Sequence, residues 1–225
     1  MSILLFGANG NLATSKVIPA AKKLKYTITP VSRTPERGHF SMKDTRYPYH
    51  NIAYMATPSH VACDVVSRLH KDTILCIEKP HGENKSTFAN MIIHLCEHKS
   101  FRKVLFVDHY LHKHIPVLAN YDIHYADIVK IKVCLFDRLE TFENMGIIRD
   151  VVQNHCLSVV AEMISQNTGD SRGTVLSNIA PFKPNMCYMD VHEKYQGMAP
   201  TQAKCTTTIN MGRTTPELEF QVAKY

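Results

Sequence analysis

The chain has 225 residues, 44% of them hydrophobic, with 26 Lys and Arg against 20 Asp and Glu and a formal net charge of +6. That length suffices for one large or two small domains, and the lack of an apolar run of about 18 residues or of a basic leader excludes a membrane-spanning helix and an export signal, so a cytoplasmic location is expected. Lys and Arg are dispersed apart from Lys22-Lys23-Leu24-Lys25, which fits a cleft for phosphorylated small molecules better than a nucleic-acid partner, and seven scattered cysteines without a C-x-x-C pair argue against structural zinc or a disulfide framework.

Residues 3–6, all apolar, followed by Gly7-Ala8-Asn9-Gly10-Asn11-Leu12-Ala13, predict a buried strand, a glycine turn and a helix running to Lys25. In Gly7-x-x-Gly10-x-x-Ala13 the first glycine permits a tight turn and the second lets a pyrophosphate approach the backbone. The small Ala13 lets helix and strand pack closely, and the helix N-terminus offers N–H groups to the anion. Gly7, Ala8, Asn9, Gly10, Asn11 and Leu12 are therefore candidate cofactor contacts, with Asn11 expected to cap the helix.

Residues 27–33 predict a second strand. It ends in Val31-Ser32-Arg33, a hydroxyl and a guanidinium where an NAD-binding unit carries an acid for the ribose 2′-OH. Ser32 and Arg33 suit a 2′-phosphate, so NADP is expected rather than NAD. Residues 34–50 lack periodicity and predict an irregular connection. Strands at 52–56, 73–77 and 104–107 alternate with helices at 60–71 and 86–98, an order that predicts a parallel sheet covered by helices. Glu78-Lys79-Pro80 falls at the C-terminal end of one of these strands, where open α/β sheets bind ligands, and the Lys79 ammonium is a candidate ligand contact.

From Lys130 the pattern changes. Residues 131–136 alternate as a half-buried strand, 146–164 predict a helix, and 206–209 and 218–222 predict two further strands, while 167–200 reads as surface loop. The expected fold class is α/β: a Rossmann-type dinucleotide-binding domain over residues 1–115, then a reduced α+β substrate domain over 116–225.

Two blocks carry the chemistry. Asp108-His109-Tyr110-Leu111-x-Lys113, followed by Val117 and Asn120, and Gly146-Ile147-Ile148-Arg149-Asp150-Val151-Val152-Gln153-Asn154-His155, in that order, resemble the signature of glucose-6-phosphate dehydrogenases. Tyr54-Met55-Ala56-Thr57-Pro58 and Glu78-Lys79-Pro80 resemble both that family and a wider group of nicotinamide-dependent sugar oxidoreductases. The resemblance implies hydride transfer from C1 of a sugar phosphate to NADP, giving the lactone. It implies His155 as general base and Asp108 as the group that orients it and stabilises its imidazolium, a pairing that suits a side chain able to exchange a proton near neutrality. It further implies that Lys79 contacts substrate and coenzyme, that His109, Tyr110 and Lys113 hold the phosphate, that Asp137 and Asp150 meet sugar hydroxyls, and that Tyr54 lies beside the cofactor.

The chain also departs from that pattern. The connection between Arg33 and Ile52 is short, and little beyond two strands follows Pro200. His112 stands where Gly is usual and His114 where an acid is, and Lys204 and Arg213 are the available stand-ins for further phosphate-binding cations. The alternative reading is a non-catalytic nucleotide-binding or interaction module derived from the family. The pairs Asp108-His109 and His112-x-His114 lack a second cluster of matching spacing, so no metal is expected. Expected partners are a sugar phosphate, with neither nucleic acid nor membrane; homo-oligomerisation is left open.

Overall fold

The apolar run at the start of the chain becomes β1 (Ser2–Phe6), a strand buried on both faces: Leu4 and Phe6 join one core, Ile3 and Leu5 another. Such a strand must lie inside a sheet with helices on both sides. The computed structural model describes residues 1–82, 85–98, 103–108, 128–137, 147–183, 187–190 and 202–224. It divides into two compact units, Met1–Asp108 and His109–Tyr225. The boundary expected at 115/116 falls outside the described residues. Among the described residues no helix is long and apolar enough to cross a membrane.

In the first unit, β1 is joined by β2 (Thr27–Ser32), β3 (Phe40–Ser41), β4 (Ile52–Met55), β5 (Ile74–Glu78) and β6 (Val104–Val107). The sheet order is β3-β2-β1-β4-β5-β6 and all five pairings are parallel. This is the doubly wound nucleotide-binding order, with its switch point between β1 and β4. On one face α2 (His60–Val66) and α3 (Lys85–His98) bury Ala62, Val65, Val66, Met91 and Leu95 against the strands. On the other, the first helix presents only small buried residues, Ala13 and Ala21, which bring it close to Ile3 and Leu5.

That first helix is not uniform. Its Ala13–Val17 segment is a π-helix, continued by α1 (Ile18–Lys23). Pro19 gives the reason: its ring has no N–H and crowds the carbonyl four residues back, and a wider turn relieves both problems. The hydroxyls of Thr14 and Ser15, which donate to the carbonyls of Gly10 and Asn11, favour the same loosening. Asn11, expected as a cap, lies inside the helix.

The region 34–50 is a correction to the sequence reading. It contains β3, two residues paired to Val31 and Ser32 and too short to show a period. Arg68 fastens the segment that follows, donating from Nη1 to the carbonyls of Met42 and Asp44.

The second unit is a four-stranded mixed sheet in the order β7-β10-β9-β8, built from β7 (Lys130–Asp137), β8 (Cys187–Asp190), β9 (Gln202–Thr208) and β10 (Glu217–Lys224). A π-helical segment, Ile148–Cys156, runs into α4 (Leu157–Thr168), and α5 (Arg172–Ser177) follows. Val151, Val152, Cys156, Val160 and Ile164 pack onto Leu218, Phe220 and Val222 of β10. Both α5 and β8 lie within the stretch expected as loop. The first is a single short helix carrying Gly173, held by the Ser171 hydroxyl accepting from the Thr174 N–H at 3.1 Å. The second exists by pairing with β9.

On the opposite face of this sheet Glu219, only 5% exposed, is surrounded by Lys130, Lys132 and Lys204, whose Nζ atoms lie 2.6, 3.0 and 3.5 Å from its carboxylate. Hydrogen bonds from Lys130 and Lys132 hold its pKa down to about 2 from an ordinary 4.5. A folded pKa below the unfolded one means stabilisation that is full above the unfolded value and is lost as pH falls through the folded one. The Glu219→Gln variant is therefore expected to melt below wild type at neutral pH. The difference should close between about pH 4.5 and about pH 2 in thermal scans followed by circular dichroism.

Candidate active site

The glycine turn sits at the switch point. Gly7 and Ala8 both donate to the carbonyl of Val31, at 3.0 and 3.2 Å, and Gly10 closes back on the carbonyl of Gly7 at 2.8 Å. Gly7 has φ +75°, and a Cβ there would come within 2.5 Å of the Ala56 carbonyl oxygen and 2.8 Å of Thr57 Cγ2. The backbone thus leaves space in which only a glycine fits, between the ends of β1 and β4. Gly7→Ala is expected to cost about 2–4 kcal/mol, from left-handed strain plus a backbone clash, and to abolish nucleotide binding. Urea unfolding and calorimetric titration with nucleotide measure the two effects.

Two polar atoms at this crevice test whether a dinucleotide fits. Ser32 Oγ, at the end of β2, and Thr57 Oγ1, just after β4, are buried with no hydrogen-bond partner among the described residues. An orphaned buried hydroxyl costs free energy until a ligand satisfies it. Arg33 beside Ser32 is exposed and makes no ion pair among the described residues. A glycine cradle, a helix start, two unsatisfied hydroxyls and a guanidinium at the second strand's end suit a phosphorylated dinucleotide. Asn9, Gly10 and Asn11 are exposed at its mouth. Thr57 was missed in the site assignment although its Thr-Pro context was visible; its role follows only from the closeness of β4 to Gly7.

A second group of residues follows β5 and β6. Glu78 pairs with Val107 in register, so Lys79 and Asp108 leave the sheet side by side, and Lys79 Nζ lies 2.8 Å from Asp108 Oδ1. Their side chains are only 10% and 16% exposed, which makes this a largely desolvated ion pair. The peptide bond between Lys79 and Pro80 is cis. Behind the pair, the Tyr54 hydroxyl donates to Glu78, itself buried. Burial and that carboxylate raise the Tyr54 pKa, keeping the phenol protonated. Tyr54, expected beside the cofactor, thus has its hydroxyl engaged in bracing the end of β5.

His81 is the neighbour the sequence reading passed over. It donates from Nε2 to the Ile77 carbonyl at 3.1 Å and meets the Phe106 ring edge-on at 4.8 Å. Burial first, with the Lys79 charge adding to it, lowers its pKa and keeps it neutral. Its position directly after Glu-Lys-Pro was the available signal.

In the second unit His155 lies on the π-helical segment, partly buried, with Val151, Val152 and Cys156 of the same segment in the core. The N–H of Leu157 bonds the carbonyl of Val152, an i to i+5 step. Such a turn brings positions 150 and 155 closer to a common azimuth than an α-helix would. Asp150 lies on this segment and Asp137 at the end of β7. Lys204 is engaged with Glu219 on the sheet's outer face, and Arg213 is exposed between β9 and β10. His109, Tyr110, Lys113 and Gly146 lie outside the described residues.

Residues 37–116 match the sequence family described as glucose-6-phosphate dehydrogenase, NAD binding domain. The glucose-6-phosphate 1-dehydrogenase of Helicobacter pylori is 26% identical over 64% of this chain and 38% of its own length. That of Encephalitozoon cuniculi is 25% identical over 76% and 50%. The chain thus spans half or less of the length of these curated relatives. Among solved structures, glucose-6-phosphate 1-dehydrogenase from Mycobacterium avium superposes with a TM-score of 0.75 at 17% identity, covering 99% of this chain and 68% of that one. By sequence in its nucleotide-binding unit and by fold along its length, the chain is similar to the glucose-6-phosphate dehydrogenases: a Rossmann-like unit followed by a mixed-sheet unit.

Proposed function

We propose that the protein is an NADP-dependent dehydrogenase that oxidises C1 of a sugar phosphate, glucose 6-phosphate in the simplest case, to the lactone. The observation that carries this reading is the desolvated Lys79–Asp108 pair, set at the C-terminal edge of the same sheet whose β1–β4 crevice bears the glycine cradle. Parallel α/β sheets bind and transform ligands at that edge. The match over residues 37–116 includes Lys79 and Asp108 and so supports the same reading.

When bound, NADP supplies the hydride acceptor. Gly7, Ala8, Gly10 and Leu12 offer backbone to the pyrophosphate, while Ser32 and Arg33 offer a hydroxyl and a guanidinium to the 2′-phosphate. Lys79 contributes an ammonium to a sugar hydroxyl, and its pairing with Asp108 fixes the direction in which that charge points. In this reading His155 takes the proton of the C1 hydroxyl as the hydride leaves C1, and Asp108 stabilises the imidazolium so formed. His109, Tyr110 and Lys113 hold the phosphate, and Asp137 and Asp150 the hydroxyls.

The test is a coupled pair of measurements on purified protein: nucleotide affinity by calorimetry, and the near-ultraviolet absorbance of reduced nicotinamide after adding glucose 6-phosphate and NADP. Turnover with NADP supports the proposal. Tight nucleotide binding with no turnover on any phosphosugar or free sugar rejects it in favour of a nucleotide-binding module.

A further inference from the structure

Away from the crevice, the last turn of α3 gathers a set of metal-ligating side chains. The helix ends in His94-Leu95-Cys96-Glu97-His98, and the i, i+3, i+4 spacing puts His94, Glu97 and His98 on one face. Their ligand atoms, two imidazole nitrogens and a carboxylate oxygen, all lie within 4.8 Å of one another. His94 Nδ1 is 3.9 Å from Glu97 Oε2, and the two imidazole rings are 4.8 Å apart.

The other ring nitrogen of His94 separates this group from histidines that merely share a helix face. His94 Nε2 lies 3.0 Å from the backbone carbonyl oxygen of Cys63 on α2. A carbonyl oxygen can only accept, so Nε2 carries the proton and Nδ1 turns its lone pair toward Glu97. A histidine that binds a metal ordinarily anchors its second N–H on a carbonyl or carboxylate in this way, which fixes both tautomer and ring direction. The location adds a further term: the last turn of a helix carries partial negative charge and, with the Glu97 carboxylate, attracts a dication.

The geometry points to a divalent transition-metal site of the zinc class at the end of α3, ligated by His94 Nδ1, the Glu97 carboxylate and His98, with its remaining positions open to water. Two imidazoles and one carboxylate are a donor set for Zn²⁺, Co²⁺ or Ni²⁺ rather than for Ca²⁺ or Mg²⁺. Tetrahedral coordination at about 2.1 Å asks the donor atoms to approach to about 3.4 Å. His94 and Glu97 are 40% and 62% exposed, and His98 is exposed, so rotamer changes in the outer two side chains accomplish this without moving the core. The bound ion braces the end of α3 and, through the Cys63 carbonyl, ties it to α2. This inference does not depend on the dehydrogenase reading.

The test uses the whole chain kept reduced. Co²⁺ is added while its visible d–d absorption is followed, and Zn²⁺ affinity is measured by competition with a chromogenic chelator. One site of micromolar affinity is expected. Glu97→Gln and His98→Ala should each weaken it by at least about tenfold, and Cys96→Ser should leave it unchanged. Zn²⁺ should raise the Tm of wild type and not that of His98→Ala, whose far-ultraviolet circular dichroism should match wild type. A wild-type chain that gives no cobalt band with micromolar protein and metal overturns the assignment, as do Glu97→Gln and His98→Ala proteins that bind like wild type.

Discussion

The His155→Asn protein is expected to fold, to keep the nucleotide affinity of wild type and, under the proposed mechanism, to turn over about 10²- to 10⁴-fold more slowly, the usual worth of a positioned general base. Asparagine keeps hydrogen-bonding capacity and comparable bulk but cannot accept and release a proton. The helix around it is held by other residues: Ile147, Val151, Val152 and Cys156 are almost wholly buried in the core beneath. Initial rates, nucleotide titration and circular dichroism on the same preparation separate chemistry from folding. An unchanged rate would remove His155 from the mechanism. Loss of nucleotide binding along with rate would show that the substitution had disturbed more than a proton acceptor.

Lys79→Met should produce the other large effect. It leaves Asp108, 16% exposed, without the ammonium now 2.8 Å away. Losing one partner of a buried pair costs about 3–5 kcal/mol in full burial and less where some solvent reaches the remaining charge, as here. Turnover should fall in parallel. The double variant Lys79→Met/Asp108→Leu removes both charges and should recover most of the lost stability, since apolar replacements of a buried pair are often neutral. Its activity should stay lost. Denaturant midpoints and rates across this cycle distinguish a pair kept for chemistry from one kept for folding: recovery of rate together with stability would make it a structural feature alone.

Much of the first unit was legible because local signals agreed with the fold. Residues 3–6 are apolar on both faces, which only an interior parallel strand tolerates, and β6 was read to the residue at Val104–Val107. The glycine turn at Gly7 was legible for a different reason: φ +75° admits few other residues. The pairing of Lys79 with Asp108 was not anticipated. Each was assigned a separate task, yet two residues that directly follow neighbouring parallel strands in register become neighbours themselves, and the relation appears once β5 and β6 are known to be adjacent. Elements stabilised by partners rather than by pattern escaped altogether. β3 and β8 are made by the strands beside them, and α5 by the Ser171 cap within a run of glycine and polar residues. The wide turns in the two long helices also left no periodic trace, because shifting the hydrogen bonds by one residue alters neither composition nor overall length of the apolar stretch.

The π-helical segment Ile148–Cys156 has a consequence for phase. It feeds directly into α4, whose Val160, Ala161 and Ile164 must face the sheet. A regular α-helix advances about 100° per residue, so its packing stripe dictates the bearing of every residue before it. The wide turn breaks that dependence. It acts as a slack of one residue between α4 and the part that carries His155, so the core-facing residues of each, Val160 and Ile164 in one and Val151 and Val152 in the other, can be seated separately. Deleting one residue from the segment would let the hydrogen bonds close at the ordinary spacing and would keep α4 seated, but the histidine would swing away from its present bearing. In this chain the direction of the proposed base is therefore set by how many residues the helix holds, as much as by which ones.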